Sequence, residues 1–280
     1  MSNSAQSVKD KLKNISREKN VDFNSAMRFY MYDRFVERLS KSKYKDNFIL
    51  KGGFYLSKLF GLDNRSTMDI DTAIRKTEFT EENLIVMINE IISIDVGDNV
   101  KFKIEKTELI REEDEYGGLR ITINFMLENI KDKFHIDLAT GDPIYPRPDN
   151  YKYESLIGDE IYKVWSYNLE TILAEKIETI LSKLETSSRM KDYYDIYLIY
   201  KFKFDTINKE KFRGSVEKTF KKRKFDADLM TNLSIVKESK VLRERWLSYS
   251  RKNSYARDVE FEETLECLEK LIDILILHVI

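Results

Sequence analysis

LKGGFYLSKLFGLDNRSTMDIDTAIR, residues 50–75, is the stretch on which the reading of this chain turns. FILKGG (48–53) has the look of a short strand ending in glycines, and FYLSKLFG (54–61) has helical spacing with Gly61 as its stop. TMDIDTAIR (67–75) alternates like a strand and carries Asp69 and Asp71. Residues i and i+2 of a strand share a face, so these two carboxylates converge. Like charges held that close repel unless a cation lies between them. Mg²⁺ prefers carboxylate oxygens and completes its shell with waters and substrate phosphates. A solvated strand face bears the same short pattern, so the D-x-D alone does not decide. Gly52 and Gly53 weigh on the other side, because they let backbone approach a ligand and open a helix whose free N–H groups suit phosphate.

Composition sets the frame. The chain has 280 residues, enough for one large domain or two ordinary ones, with 42 % hydrophobic and 35 % charged residues. Its 48 basic and 49 acidic side chains nearly cancel, so nucleic-acid binding would need a local patch. The single cysteine, Cys267, excludes an internal disulfide and a cysteine zinc site, and His135 and His278 alone do not make a histidine metal centre. The polar first twenty residues do not read as a secretory signal, and no run of about 18 apolar residues predicts a membrane span. A cytoplasmic protein is expected.

Pro143, Pro146 and Pro148 all fall in GDPIYPRPDN, the clearest break in the chain. Before it, helices over 4–17, 23–41 and 81–93 alternate with strand candidates at 100–110, 118–128 and 133–142. That order predicts an α+β (α/β) domain over 1–160, a mixed sheet with flanking helices. Residues 161–280 read as a helical bundle.

Two further places carry chemistry. In HIDL, Asp137 alternates with Ile136 and Leu138 and offers a third acid for the metal. In the helix NLETILAEKIETILSKLE (168–185), Lys176 falls inside the apolar arc of Leu169, Leu173, Ile177 and Ile180. The next helix, RMKDYYDIYLIY (189–200), places Asp192 between Ile196 and Ile199, with Asp195 at the edge. Inward charges on consecutive helices must be paired or face a polar cleft. Either a buried Lys–Asp pair pins the helices, or Lys176 neutralises a triphosphate while Asp192 orients it. Near the end, EKTFKKRKF (217–225) gathers Lys218 and the run Lys221–Lys224 between Phe220 and Phe225, as a solvated face or an RNA contact would. The amphipathic segment 259–280 is expected to pack on the bundle.

Leu50-Lys51-Gly52-Gly53 followed by Arg65-Ser66-Thr67-Met68-Asp69-Ile70-Asp71 resembles the nucleotidyltransferase toxins of AbiE-type abortive-infection systems, within the DNA polymerase β-type superfamily. Ala174-Glu175-Lys176-Ile177 and Arg189-Met190-Lys191-Asp192-Tyr193-Tyr194-Asp195 extend the resemblance, with Lys191 standing where the family usually has arginine. It covers roughly residues 45–200. The resemblance implies a nucleotidyltransferase-fold sheet and an enzyme that uses Mg²⁺ and an NTP. It implies metal ligation by Asp69 and Asp71, with Asp137 as third ligand and base. Gly52, Gly53, Arg65, Thr67 and Lys176 would hold the nucleotide, and Lys176 and Asp192 would belong to the active site. It also implies a growth-inhibiting toxin in phage defence, a cognate antitoxin and an RNA acceptor, with tRNA foremost. A small-molecule or protein acceptor is the alternative within enzymes, and a non-catalytic nucleotide- or RNA-binding module is the alternative outside them.

Overall fold

The computed structural model of the chain describes residues 5–110 and 117–276. The first residue of the helix expected over 4–17 lies outside these bounds, as do His278 and the last turn expected of the C-terminal helix.

The chain divides into two compact units, one of the described residues up to Gly141 with Asp149–Ser166, the other of Asp142–Pro148 with the residues from Tyr167 on. The first unit opens with helices α1 (Ala5–Glu18) and α2 (Phe23–Lys41), the latter capped by Asp22. Strand β1 (Phe48–Leu50), helix α3 (Gly52–Phe60), strand β2 (Asp69–Ile74) and helix α4 (Glu81–Ile92) follow. Strands β3 (Val100–Ile110), β4 (Gly118–Leu127), β5 (Ile130–Ala139), β6 (Asp149–Glu154) and β7 (Ile161–Ser166) complete it. All seven form one mixed sheet in the order β3-β4-β5-β2-β1-β7-β6. The β2–β5 and β1–β7 pairs are parallel and the others antiparallel.

Three boundaries differ from the sequence expectation. Gly52 and Gly53 belong to the first turn of α3 rather than to a strand, and β5 begins at Ile130 rather than 133. Residues 161–166, expected in a helical region, form β7, and with β6 they extend the sheet past β1.

The sheet packs on α2 through aromatic rings. Tyr32 and Phe35 meet Phe134 of β5, which also meets Phe102 of β3 and Phe125 of β4. Each such pair adds about 0.5–1.5 kcal/mol beyond its burial. Buried charges on α2 are closed by partners. Arg38 forks onto Asp98 at 2.7 and 2.8 Å. Asp33, with no exposure, accepts from Tyr153 at 2.6 Å, from Lys58 at 3.2 Å and from the backbone N–H of Leu156.

The second unit contains helices α5 (Leu169–Lys183), α6 (Met190–Lys203), α7 (Lys209–Lys222), α8 (Leu229–Glu238), α9 (Lys240–Lys252) and α10 (Phe261–Ile276). Asn168 caps α5 and its amide also donates to the carbonyls of Tyr145 and Arg147 at 2.8 and 3.1 Å. The proline-rich segment is thereby tied to this unit. No described helix is long and apolar enough to cross a membrane.

Candidate active site

The two glycines are the tightest points of the first unit. Gly52 adopts φ +56°, where an L side chain is strained, and a Cβ built on it would lie 2.9 Å from Oδ2 of Asp71. A Cβ on Gly53 would lie 2.8 Å from Nη2 of Arg65 and 3.4 Å from Oγ1 of Thr67. The first turn of α3 therefore packs directly on the residues flanking and forming the D-x-D strand. The backbone N–H of Lys51 donates to the Asp71 carbonyl at 3.0 Å, and the Thr67 hydroxyl donates to the Asp69 carbonyl at 3.2 Å. Unlike α2, α4 and α5, α3 begins without a side-chain cap. Its first N–H groups keep their capacity for an anion.

Asp69, Asp71 and Asp137 are brought onto one sheet face. Asp71 pairs in register with Asp137 on β5, and Asp69 with His135. Arg120, opposite Asp137 on β4, joins them. Its Nε and Nη2 fork onto the two oxygens of Asp137 at 2.7 and 2.8 Å, and Nη2 lies 3.7 Å from Asp69. Burial, then the Asp137 charge, raises the Asp69 carboxyl above the ordinary carboxylate range, with Arg120 opposing. The fork to Asp137 raises the Arg120 guanidinium in turn. Asp69 and Asp137 thus share one guanidinium.

The donor set suits a hard cation. Among the described residues no three acidic, histidine or cysteine side chains are arranged to hold a metal by themselves. Mg²⁺ needs only one or two protein carboxylates beside waters and substrate phosphates. Asp69 and Asp71 can supply these, whereas both oxygens of Asp137 are held by Arg120. Sequence reasoning missed Arg120. Its signal was the alternation of GLRITINF, which places Arg120, Thr122 and Asn124 opposite the buried Leu119, Ile121 and Ile123.

In the second unit, Lys176 is buried with its Nζ 2.7 Å from Asp192 and 2.6 Å from Asp195. Arg189 donates from Nε to the other oxygen of Asp192 at 2.6 Å. Burial opposes ionisation of Asp192, but the charges of Lys176 and Arg189 overcome it and hold the carboxyl well below its usual range. Burial likewise opposes the Lys176 charge, and the Asp192 and Asp195 charges more than restore it. Of the basic run on α7, Arg223 turns inward to Glu178 at 2.6 Å and Asp142 at 3.4 Å.

A family model described as "Nucleotidyl transferase AbiEii toxin, Type IV TA system" matches residues 34–267. The chain belongs to this family. It is a nucleotidyltransferase toxin of a toxin–antitoxin system, which implies a nucleotide substrate and an antitoxin partner. The AbiEii match runs from α2 to α10 and so takes in both units. Among solved structures, JHP933 from Helicobacter pylori is similar in fold, with a TM-score of 0.51, 15 % identity, and 88 % of each chain covered. A second H. pylori structure, at TM-score 0.47 and 16 % identity over 88 % of this chain and 91 % of that one, lies below the level that bears on the fold. A search of curated proteins finds no match.

Proposed function

We propose that this toxin transfers a nucleotidyl group from an NTP to a hydroxyl of an RNA acceptor, with tRNA foremost, in a Mg²⁺-dependent reaction. The observation that carries the reading is the contact of the uncapped α3 turn with Asp71, Arg65 and Thr67. An open helix terminus beside a carboxylate pair is suited to a triphosphate with its cation.

When bound, Mg²⁺ supplies charge neutralisation between the Asp69 and Asp71 carboxylates and the phosphates. The α3 N–H groups, Arg65 and Thr67 hold and orient the triphosphate. The acceptor oxygen attacks the α-phosphorus, the α–β phosphoanhydride bond breaks, and pyrophosphate leaves. The hydroxyl proton passes to Asp137 once Arg120 has turned from it to the incoming phosphates. The third-ligand role of Asp137 requires the same release.

The test is incubation with Mg²⁺ and labelled NTPs, with total RNA or a panel of small hydroxyl compounds as acceptors. Label retained in RNA, and abolished by Asp69→Ala, is expected. Label found only on a small molecule would overturn the RNA assignment.

A further inference from the structure

The acids occupy only part of an open sheet face. Strands β3, β4 and β5 run on past the start of β2, whose first paired residue is Asp69 opposite His135. On this extension, register places Lys101, Met126 and Lys131 in one row and Lys103, Asn124 and Lys133 in the next. Strand alternation puts Thr122 and His135, then Arg120, Asp137 and Asp71, on the same face in the rows that follow. One row, that of Thr122 and His135, separates Lys133 from Asp137, about 13 Å apart at the rise of a strand.

The four lysines are exposed and, with Asn124 and Met126 on the same face, line a shallow cavity of about 680 Å³. Their charge is little opposed. Lys133 pairs with Glu105 at 3.2 Å, while among the described residues none of Lys101, Lys103 and Lys131 is in an ion pair. Asp132, the remaining acid at the cavity, lies 3.4 Å from Arg28 of α2. Two cationic rows on an exposed sheet face match the spaced charges of a phosphodiester backbone. Edge-strand lysines also discourage sheet-to-sheet pairing, which would require no ligand.

We propose that this lysine-rimmed face of β3, β4 and β5 is the docking surface for the RNA acceptor, leading its end along the sheet to Asp69 and Asp71. The inference rests on RNA being the acceptor. The basic run on α7, with Arg223 spent on internal carboxylates, is the weaker site.

The experiment measures binding of a fluorescein-labelled RNA hairpin with a single-stranded 3′ tail, without NTP, across a salt series. The triple variant Lys101→Glu, Lys103→Glu, Lys131→Glu should bind at least about tenfold more weakly. Its salt slope should fall by about 2, at about 0.7 per lost phosphate contact on single strands. Binding of a fluorescent NTP serves as the fold control, and single Lys→Glu variants lowering the slope by about 0.7 each replace a triple variant that fails it. Unchanged affinity and slope would overturn the proposal, as would loss confined to Lys218→Glu and Lys221→Glu, or no RNA binding by the parent protein. If the parent binds RNA through these lysines yet transfers nothing to it, the surface stands and the RNA-acceptor reading fails.

Discussion

Two charge clusters in this toxin are built on opposite terms. Around Lys176, two cations and two carboxylates cancel inside the helical unit, and each carboxylate is held by a direct ion pair or hydrogen bond. On the sheet, Arg120 forks onto Asp137 and reaches Asp69, yet the Asp137 and Asp71 charges still press on the Asp69 carboxyl. The first cluster is complete as it stands. In the second, like charges are held close enough that the Asp69 carboxyl is raised, an arrangement suited to an incoming cation. The difference teaches that burial of charge alone does not mark a site; an imbalance does.

The sharpest way to break the comparison is Lys176→Met. It removes the ammonium that both buried carboxylates, Asp192 and Asp195, bind, and should cost about 3–5 kcal/mol of stability in urea unfolding. A stable Lys176→Met protein that has lost transfer would show instead that the ammonium serves the nucleotide. Asp71→Asn should do the reverse, lowering transfer by about 10²–10³-fold, on the scale of losing one transition-state electrostatic contact, with no loss of stability. Gly52→Ala should lie between. Its positive φ costs about 1–2 kcal/mol, and its methyl group would press on Asp71, so transfer and the unfolding midpoint fall together.

The smallest effect is in pH dependence, and the two clusters should differ in sign. The Asp69 carboxyl is raised in the folded protein. It therefore favours folding below its unfolded value near 3.9, and that contribution is lost as pH rises through the folded value. Asp192 is depressed, so its contribution is present above the unfolded value and is lost only as pH falls toward its folded one. Unfolding midpoints measured in chelator from pH 4 to 7 should decline less with rising pH in Asp69→Asn than in the parent. An identical pH profile in the two proteins would remove Asp69 as the source.

Much of this was legible from residue order. Period-two alternation marked Asp69, Asp71 and Asp137, and period 3.6 marked Lys176 and Asp192, because inward charges contradict an apolar stripe. Arg120 was hidden because an arginine on a half-exposed strand is unremarkable until its cross-strand neighbour is known, and register is not written in the strand itself. β6 and β7 were hidden for another reason. DNYKYE and IYKVWS are short, polar at alternate positions, and sit between a proline cluster and a strong helix, so long-range pairing with β1 decides them. The strand before α3 was read too long, to Gly53 rather than Leu50, because glycine is a poor helix former, and here close packing on Asp71 and Arg65 outweighs propensity.

The route of the chain carries a consequence for its synthesis. Residues 142–148 belong to the helical unit, yet they precede β6 and β7, which complete the sheet. As the polypeptide leaves the ribosome, β1, buried over its whole length, must wait for residues 161–166 before its second edge is covered. By then the segment destined for the helical unit has already emerged ahead of nearly everything it will pack on. A nascent chain stalled near residue 141 would present an apolar strand edge, the kind that recruits strangers. Partial synthesis of this toxin is therefore a hazard of aggregation before it is one of activity.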